Sequence, residues 1–210
     1  MVVAYVIVVL GVDTLAALGL DWPLRWSWFQ WQGRNGFDLF KFIFWFVVPF
    51  LCCVPRMDWD WFGIKRWKRI DAILLALLVA CCVGAVLLVP YLPGVRDYYR
   101  QFGGALSAAQ KWNFFIFHLV WTFSWLIGWE FLHRYALLRR ADAAWPRFGW
   151  LLVPLSETLY HLQKPPIEAA GMALFALVAT AWTRNRRNML APFIAHLAIE
   201  IALGLFLLLG

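Results

Sequence analysis

Gly128-Trp129-Glu130-Phe131-Leu132-His133-Arg134-Tyr135 closes a long apolar run and sets a carboxylate inside what reads as a membrane-spanning helix. A charged side chain at the centre of such a helix costs about 2.5–3.5 kcal/mol on insertion scales, so an intramembrane glutamate is a functional site by default. Arg134 follows four residues on, on the same helical face, where it is placed to orient or neutralise Glu130. Two later stretches carry matching polar groups: Ser156-Glu157-Thr158-Leu159-Tyr160-His161 and His196-Leu197-Ala198-Ile199-Glu200. The three pieces are expected to converge on one buried site.

The composition around them is that of a membrane protein. Of 210 residues, 63% are hydrophobic and 15% charged, with a mean hydropathy of +0.68, which excludes an ordinary soluble domain. Many of the 15 tryptophans stand at the ends of apolar runs (Trp22, Trp26, Trp59, Trp61, Trp67, Trp112, Trp145, Trp150), as in the aromatic belts of a bilayer. The net charge of +7 does not point to nucleic acid, because the basic residues sit in short loops between those runs. Cys52-Cys53 and Cys81-Cys82 are adjacent pairs inside apolar runs. Helical neighbours point about 100° apart, so neither pair makes a metal clamp or a disulfide, and both read as small apolar fillers. No Lys or Arg precedes the first apolar run, which favours a retained first span over a cleaved signal peptide.

The pattern predicts an all-α, polytopic transmembrane bundle of about seven spans, at 2–20, 38–55, 70–93, 112–138, 149–163, 167–183 and 189–209. Residues 1–111 form N-terminal helices and loops, and 112–210 the core that carries the chemistry. The fifth span is short and stops at Lys164-Pro165-Pro166, either a backbone break at membrane depth or a tight turn between antiparallel helices. Loops 56–69, 139–148 and 184–188 hold eleven basic residues against six in the alternating set, which puts the first set and the N-terminus in the cytoplasm. At 1.5 Å per residue, Glu130 and His196 then lie about 13 Å below the cytoplasmic edge, Glu200 about 19 Å and His161 about 21 Å. The chain is thus expected to be a multi-pass integral protein, of the plasma membrane or a bacterial inner membrane.

All four glutamates, Glu130, Glu157, Glu168 and Glu200, fall in or beside these later spans. His196 and Glu200 are four apart on one face, as are Glu157 and His161. A carboxylate beside imidazole is equipment for activating water. Two histidines and a glutamate, here His161, His196 and Glu200, are equally a catalytic zinc set, and both readings stay open. His118 and His133 read as hydrogen-bond donors between helices.

These motifs resemble the CPBP family of intramembrane endopeptidases, relatives of the CAAX prenyl protease once grouped with abortive-infection proteins. The family pattern is Glu-Glu-x-x-x-Arg, then Phe-x-x-x-His, then His-x-x-x-Asn/Asp. Glu130 and Arg134 match the first motif, His161 the second and His196 the third, over residues 112–204. Trp129 stands where the family has its first Glu, Glu157 where it has Phe, and Glu200 where it has Asn or Asp. The run His161-Leu162-Gln163-Lys164-Pro165-Pro166-Ile167-Glu168 is similar to a single-Glu variant of the family. The resemblance implies Glu130 as base, Glu168 or Glu157 as second carboxylate, and His161 and His196 positioning water and stabilising the oxyanion. It implies a membrane-embedded or membrane-associated protein substrate, and points at least as much to a metal-free mechanism as to zinc.

Three functions follow. The first is an intramembrane endopeptidase. The second is an inactive relative serving as membrane scaffold, chaperone or immunity protein, suggested by Trp129. The third, a carrier or proton pathway, lacks the internal repeat common in transporters.

Overall fold

The computed structural model describes residues 1–17, 37–63, 67–92, 94–98 and 107–209. The end of the first expected span, Trp22, Trp26, Arg25, Arg34, Lys65, Arg66 and Arg100 lie outside the described residues. The architecture is helical: α1 (Val2–Ala17), α2 (Leu39–Arg56), α3 (Arg69–Leu87), α4 (Ala109–Ala144), α5 (Leu152–His161), α6 (Pro166–Arg186) and α7 (Leu190–Leu209). Five of these, α2, α3, α4, α6 and α7, are long and apolar enough to cross a membrane, and α1 is a shorter apolar helix. With 10 residues, α5 rises about 15 Å, half of a hydrocarbon core. The 3₁₀ turn Gly149–Leu151 leads straight into it.

Local chemistry sets the helix ends. Ser107 starts α4 with a capping box: its Oγ accepts the Gln110 N–H at 3.4 Å, and Gln110 Oε1 accepts the Ser107 N–H at 2.9 Å. Pro166 opens α6 at a position where its missing N–H costs nothing. Arg187, at φ 47°, ends α6, and Asn188 Oδ1 caps α7 by accepting the Ala191 N–H at 3.1 Å. Residues 162–165 thus form a tight turn within an α5–α6 helical hairpin, the second of the two readings of that proline pair. Arg184 pins the far end of this hairpin, with Nη2 2.9 Å from Asp142 and 2.6 Å from the Pro146 carbonyl.

The bundle is organised on α4. This helix widens to π geometry over Phe131–Leu137, where Leu138 donates to the His133 carbonyl five residues back, and every residue of the stretch is buried. A second π stretch, Phe42–Val47, lies in α2 and packs across α4. Gly128 makes that crossing close: a Cβ there would sit 2.8 Å from Trp45 Cβ and 2.9 Å from the Trp45 carbonyl carbon. α7 lies between α3 and α4. At one end of the bundle, segment 57–63 clips these elements together. Met189 donates to the Trp61 carbonyl at 2.9 Å, and the Asp58 N–H donates to Tyr135 Oη at 2.6 Å.

Burial sorts the aromatic residues. Trp59, Trp112 and Trp145 are exposed as the belt reading expects, whereas Trp61 is buried against Tyr135, and Trp45, Trp125 and Trp129 join the core. The outer face of α3 exposes Ile70, Ile73, Leu74 and Leu77, a surface suited to lipid. Cys53 and Cys82 pack against the core, and Cys52 and Cys81 are exposed.

Gly128→Ala gains helix propensity of up to about 1 kcal/mol but forces two backbones apart, at about 1–3 kcal/mol. Thermal unfolding in detergent should show a lower midpoint, and an unchanged midpoint would mean that α2 and α4 do not meet at this glycine.

Candidate functional site

The π stretch of α4 carries the centre of the site. Glu130, the last residue before it, and Arg134, inside it, are fully buried, as is Glu157 on α5. The Arg134 guanidinium faces both carboxylates. Its Nη1 and Nη2 donate to Glu157 Oε1 and Oε2 at 2.6 and 3.2 Å, a two-pronged pair, and its Nε lies 3.1 Å from Glu130 Oε2. The Nε contact is an ion pair too oblique for a hydrogen bond, since neither atom has a hydrogen-bond partner. Arginine suits this position: its planar fork matches a carboxylate, and in low dielectric a fixed cation offsets charges that would otherwise be prohibitive.

Glu130 reaches α7 with its other oxygen. His196 Nδ1 lies 2.7 Å from Glu130 Oε1, so the imidazole donates Nδ1–H to the carboxylate. The rings of Trp125 and Phe175 stand edge-on to His196 at 5.7 and 5.4 Å. His161 is anchored the same way, donating Nδ1–H to the Glu157 carbonyl at 2.8 Å. For both histidines Nε2 has no hydrogen-bond partner among the described residues. His133, His161 and His196 lie close enough to act on one another electrostatically.

The sequence paired these groups differently. Glu157 was expected opposite His161, yet its carboxylate goes to Arg134 and only its backbone reaches the imidazole. Glu200 was expected beside His196, yet its nearest imidazole is His118, at 3.7 Å from Nε2 to Oε2. Glu168 is held by Lys164 at 2.8 Å, at the start of α6 and apart from the Arg134 cluster. Glu130, Arg134, Glu157, His161 and His196 therefore gather, while Glu168 and Glu200 belong to a separate set. His118 and His133 do link helices: His118 donates to the Glu200 carbonyl at 3.0 Å, and His133 Nε2 lies 3.3 Å from Ser156 Oγ.

Two features escaped the sequence reading. Trp129 is 1% exposed. It lies tilted against His133 at 4.2 Å between ring centroids and meets His161 edge-on at 5.8 Å, walling the site rather than leaving a gap in it. The indole Nε1 groups of Trp125 and Trp129 are buried donors without partners. Beyond Trp129, Lys41 lies 3.5 Å from Asp13 and 3.7 Å from Asp38, with its ammonium over the Trp45 ring, and Tyr160 donates to Asp13. This second charged knot ties α1, α2 and α5. The lone Lys41 and Asp13 in apolar runs were its only signal.

The expected zinc set of His161, His196 and Glu200 is not assembled among the described residues. Among the described residues no three His, Cys, Asp or Glu side chains are grouped to hold a metal ion. Of the expected set His161, His196 and Glu200, His196 is turned onto Glu130 and Glu200 onto His118. Between Glu130 and Glu157 the cation is already supplied by Arg134.

No protein-family model, curated protein or solved structure matches the chain.

Removing Arg134 leaves two buried carboxylates without a counter-ion, which costs about 3–5 kcal/mol. Arg134→Met should lower the unfolding midpoint sharply in detergent, and Arg134→Met/Glu157→Gln should recover part of the loss. Strict additivity of the two substitutions would show that the pair is not coupled.

Proposed function

We propose that the chain is an intramembrane endopeptidase, a divergent relative of the CPBP family that hydrolyses a peptide bond of a membrane-embedded or exported protein without a metal. The observation that carries this reading is the Glu130–His196 hydrogen bond, together with two imidazoles that both leave Nε2 unpaired. Glu130 holds His196 in the Nδ1–H form, so that Nε2 carries a lone pair. A water donating one hydrogen to His196 Nε2 and the other to His161 Nε2 is oriented and polarised by both. As its oxygen attacks the peptide carbonyl carbon, the proton passes to His196 Nε2. The carboxylate of Glu130 stabilises the imidazolium, which then protonates the leaving amine. This moves the base from Glu130, as the family resemblance has it, to His196, with Glu130 as its positioning group.

Neutral imidazoles anchored through Nδ1 have no N–H left to offer an oxyanion. The unpaired indole N–H groups of Trp125 and Trp129, whose rings border His196 and His161, are suited to that task. We assign the chain to the plasma membrane, or to the inner membrane of a bacterium, with seven segments entering the bilayer and a cytoplasmic N-terminus. The excess of basic residues in loops 56–69, 139–148 and 184–188 supports this orientation.

A second reading, an inactive relative acting as scaffold, chaperone or immunity protein, is favoured by one observation: Trp129 occupies the position of a family glutamate with a bulky ring. Site variants separate the two. Glu130→Gln, His161→Ala and His196→Ala should each lower proteolysis by about 10²–10⁴-fold, read as loss of cleaved membrane or exported proteins in cells carrying each variant. Identical cleavage profiles for native protein and Glu130→Gln, with the variant present at native abundance, would refute the protease reading.

A further inference from the structure

A second set of charged groups continues from the Glu130–His196 pair along the seam between α4 and α7. One helical turn past His196, Glu200 meets His118, whose Nε2–H donates to the Glu200 carbonyl at 3.0 Å with Oε2 of the same residue 3.7 Å away. Glu200 also acts electrostatically on Lys164, which pairs with Glu168 at 2.8 Å and feels Tyr98 as well. Lys164 lies in the α5–α6 turn and Tyr98 in the connection between α3 and α4. The set therefore opens at the end of the bundle opposite Arg184 and Arg186.

Exposure rises steadily along this line. The side chain of Glu130 is 0% exposed and His196 5%, His118 and Glu200 follow at 9% and 11%, and Glu168 and Lys164 at the end are 20% and 29% exposed. Ionisable groups inside a membrane face either protein or a wet cavity. A buried water-activating pair also requires an entry for water and an exit for protons.

We propose that His118, Glu200, Lys164 and Glu168 line a hydrated passage from that end of the bundle to His196, supplying water and carrying protons. What the water is used for rests on the hydrolytic reading above. The passage itself rests only on the position and exposure of these groups.

The test is chemical accessibility in the full-length chain, in membranes, with Cys52, Cys53, Cys81 and Cys82 replaced by alanine. Single cysteines are then probed with a cationic, membrane-impermeant methanethiosulfonate added from either side. Lys164→Cys and Glu200→Cys should both react from one and the same side, Glu200→Cys more slowly. Leu174→Cys, on a 68% exposed lipid-type position of α6, should not react. The proposal is overturned if Lys164→Cys reacts while Glu200→Cys is as inert as Leu174→Cys, or if Glu200→Cys reacts only from the opposite side. Should Glu200→Cys fail to accumulate, His118→Cys is read by the same criteria. If Glu130→Gln leaves cleavage intact while Glu200→Cys labels as described, the passage stands and the hydrolytic reading falls.

Discussion

One guanidinium holds the site together. Arg134 faces Glu130 at 3.1 Å and grips Glu157 with two hydrogen bonds, and all three side chains are fully buried. In a medium of low dielectric two carboxylates this close repel strongly, and the cation between them makes both tolerable. It also fixes geometry. With Oε2 turned to Arg134, Glu130 has Oε1 left for His196, and that bond sets which nitrogen of the imidazole is bare. Three helices, α4, α5 and α7, are thus tied by one chain of charges.

The backbone is shaped to allow this. A π turn changes the phase of a helix, so side chains on either side of it face directions that a regular helix would not give them. Here the wide stretch starts immediately after Glu130 and contains Arg134. Gly128, a half turn earlier, lets α2 approach until the Trp45 ring lies tilted against Trp129 at 5.4 Å. Small residues at helix contacts in membranes commonly serve such close approach. Packing and electrostatics therefore act on the same few turns of α4.

Much of this was legible in the chain. Of the seven spans that apolar run length predicts, five are helices long and apolar enough to cross a membrane, and the Glu130, Arg134, His161 and His196 spacing points to groups that do gather. The pairing was not legible. An i, i+4 rule joins His196 to Glu200 and His161 to Glu157, because sequence spacing knows only neighbours within one helix. Across helices, the long side chain of Arg134 outcompetes the imidazole for Glu157, and Glu130 takes His196 from Glu200. The Asp13–Lys41–Tyr160 knot was hidden for the same reason: its members come from three elements up to 147 residues apart. The short α5 shows a further limit. Hydropathy marks its 10 residues and their flanks as one span, and only the helix itself reveals how much of that length is helical.

The account turns on which nitrogen of His196 carries the hydrogen. Nitrogen-15 NMR of histidine-labelled protein in lipid nanodiscs, with His196 assigned by comparison with His196→Gln, reads this directly. A protonated Nδ1 that loses its strong hydrogen bond in Glu130→Leu is the result expected if the carboxylate orients the ring. A bare Nδ1 with the hydrogen on Nε2 would contradict it, since His196 would then donate nothing to Glu130 and its Nε2 would have no lone pair for water.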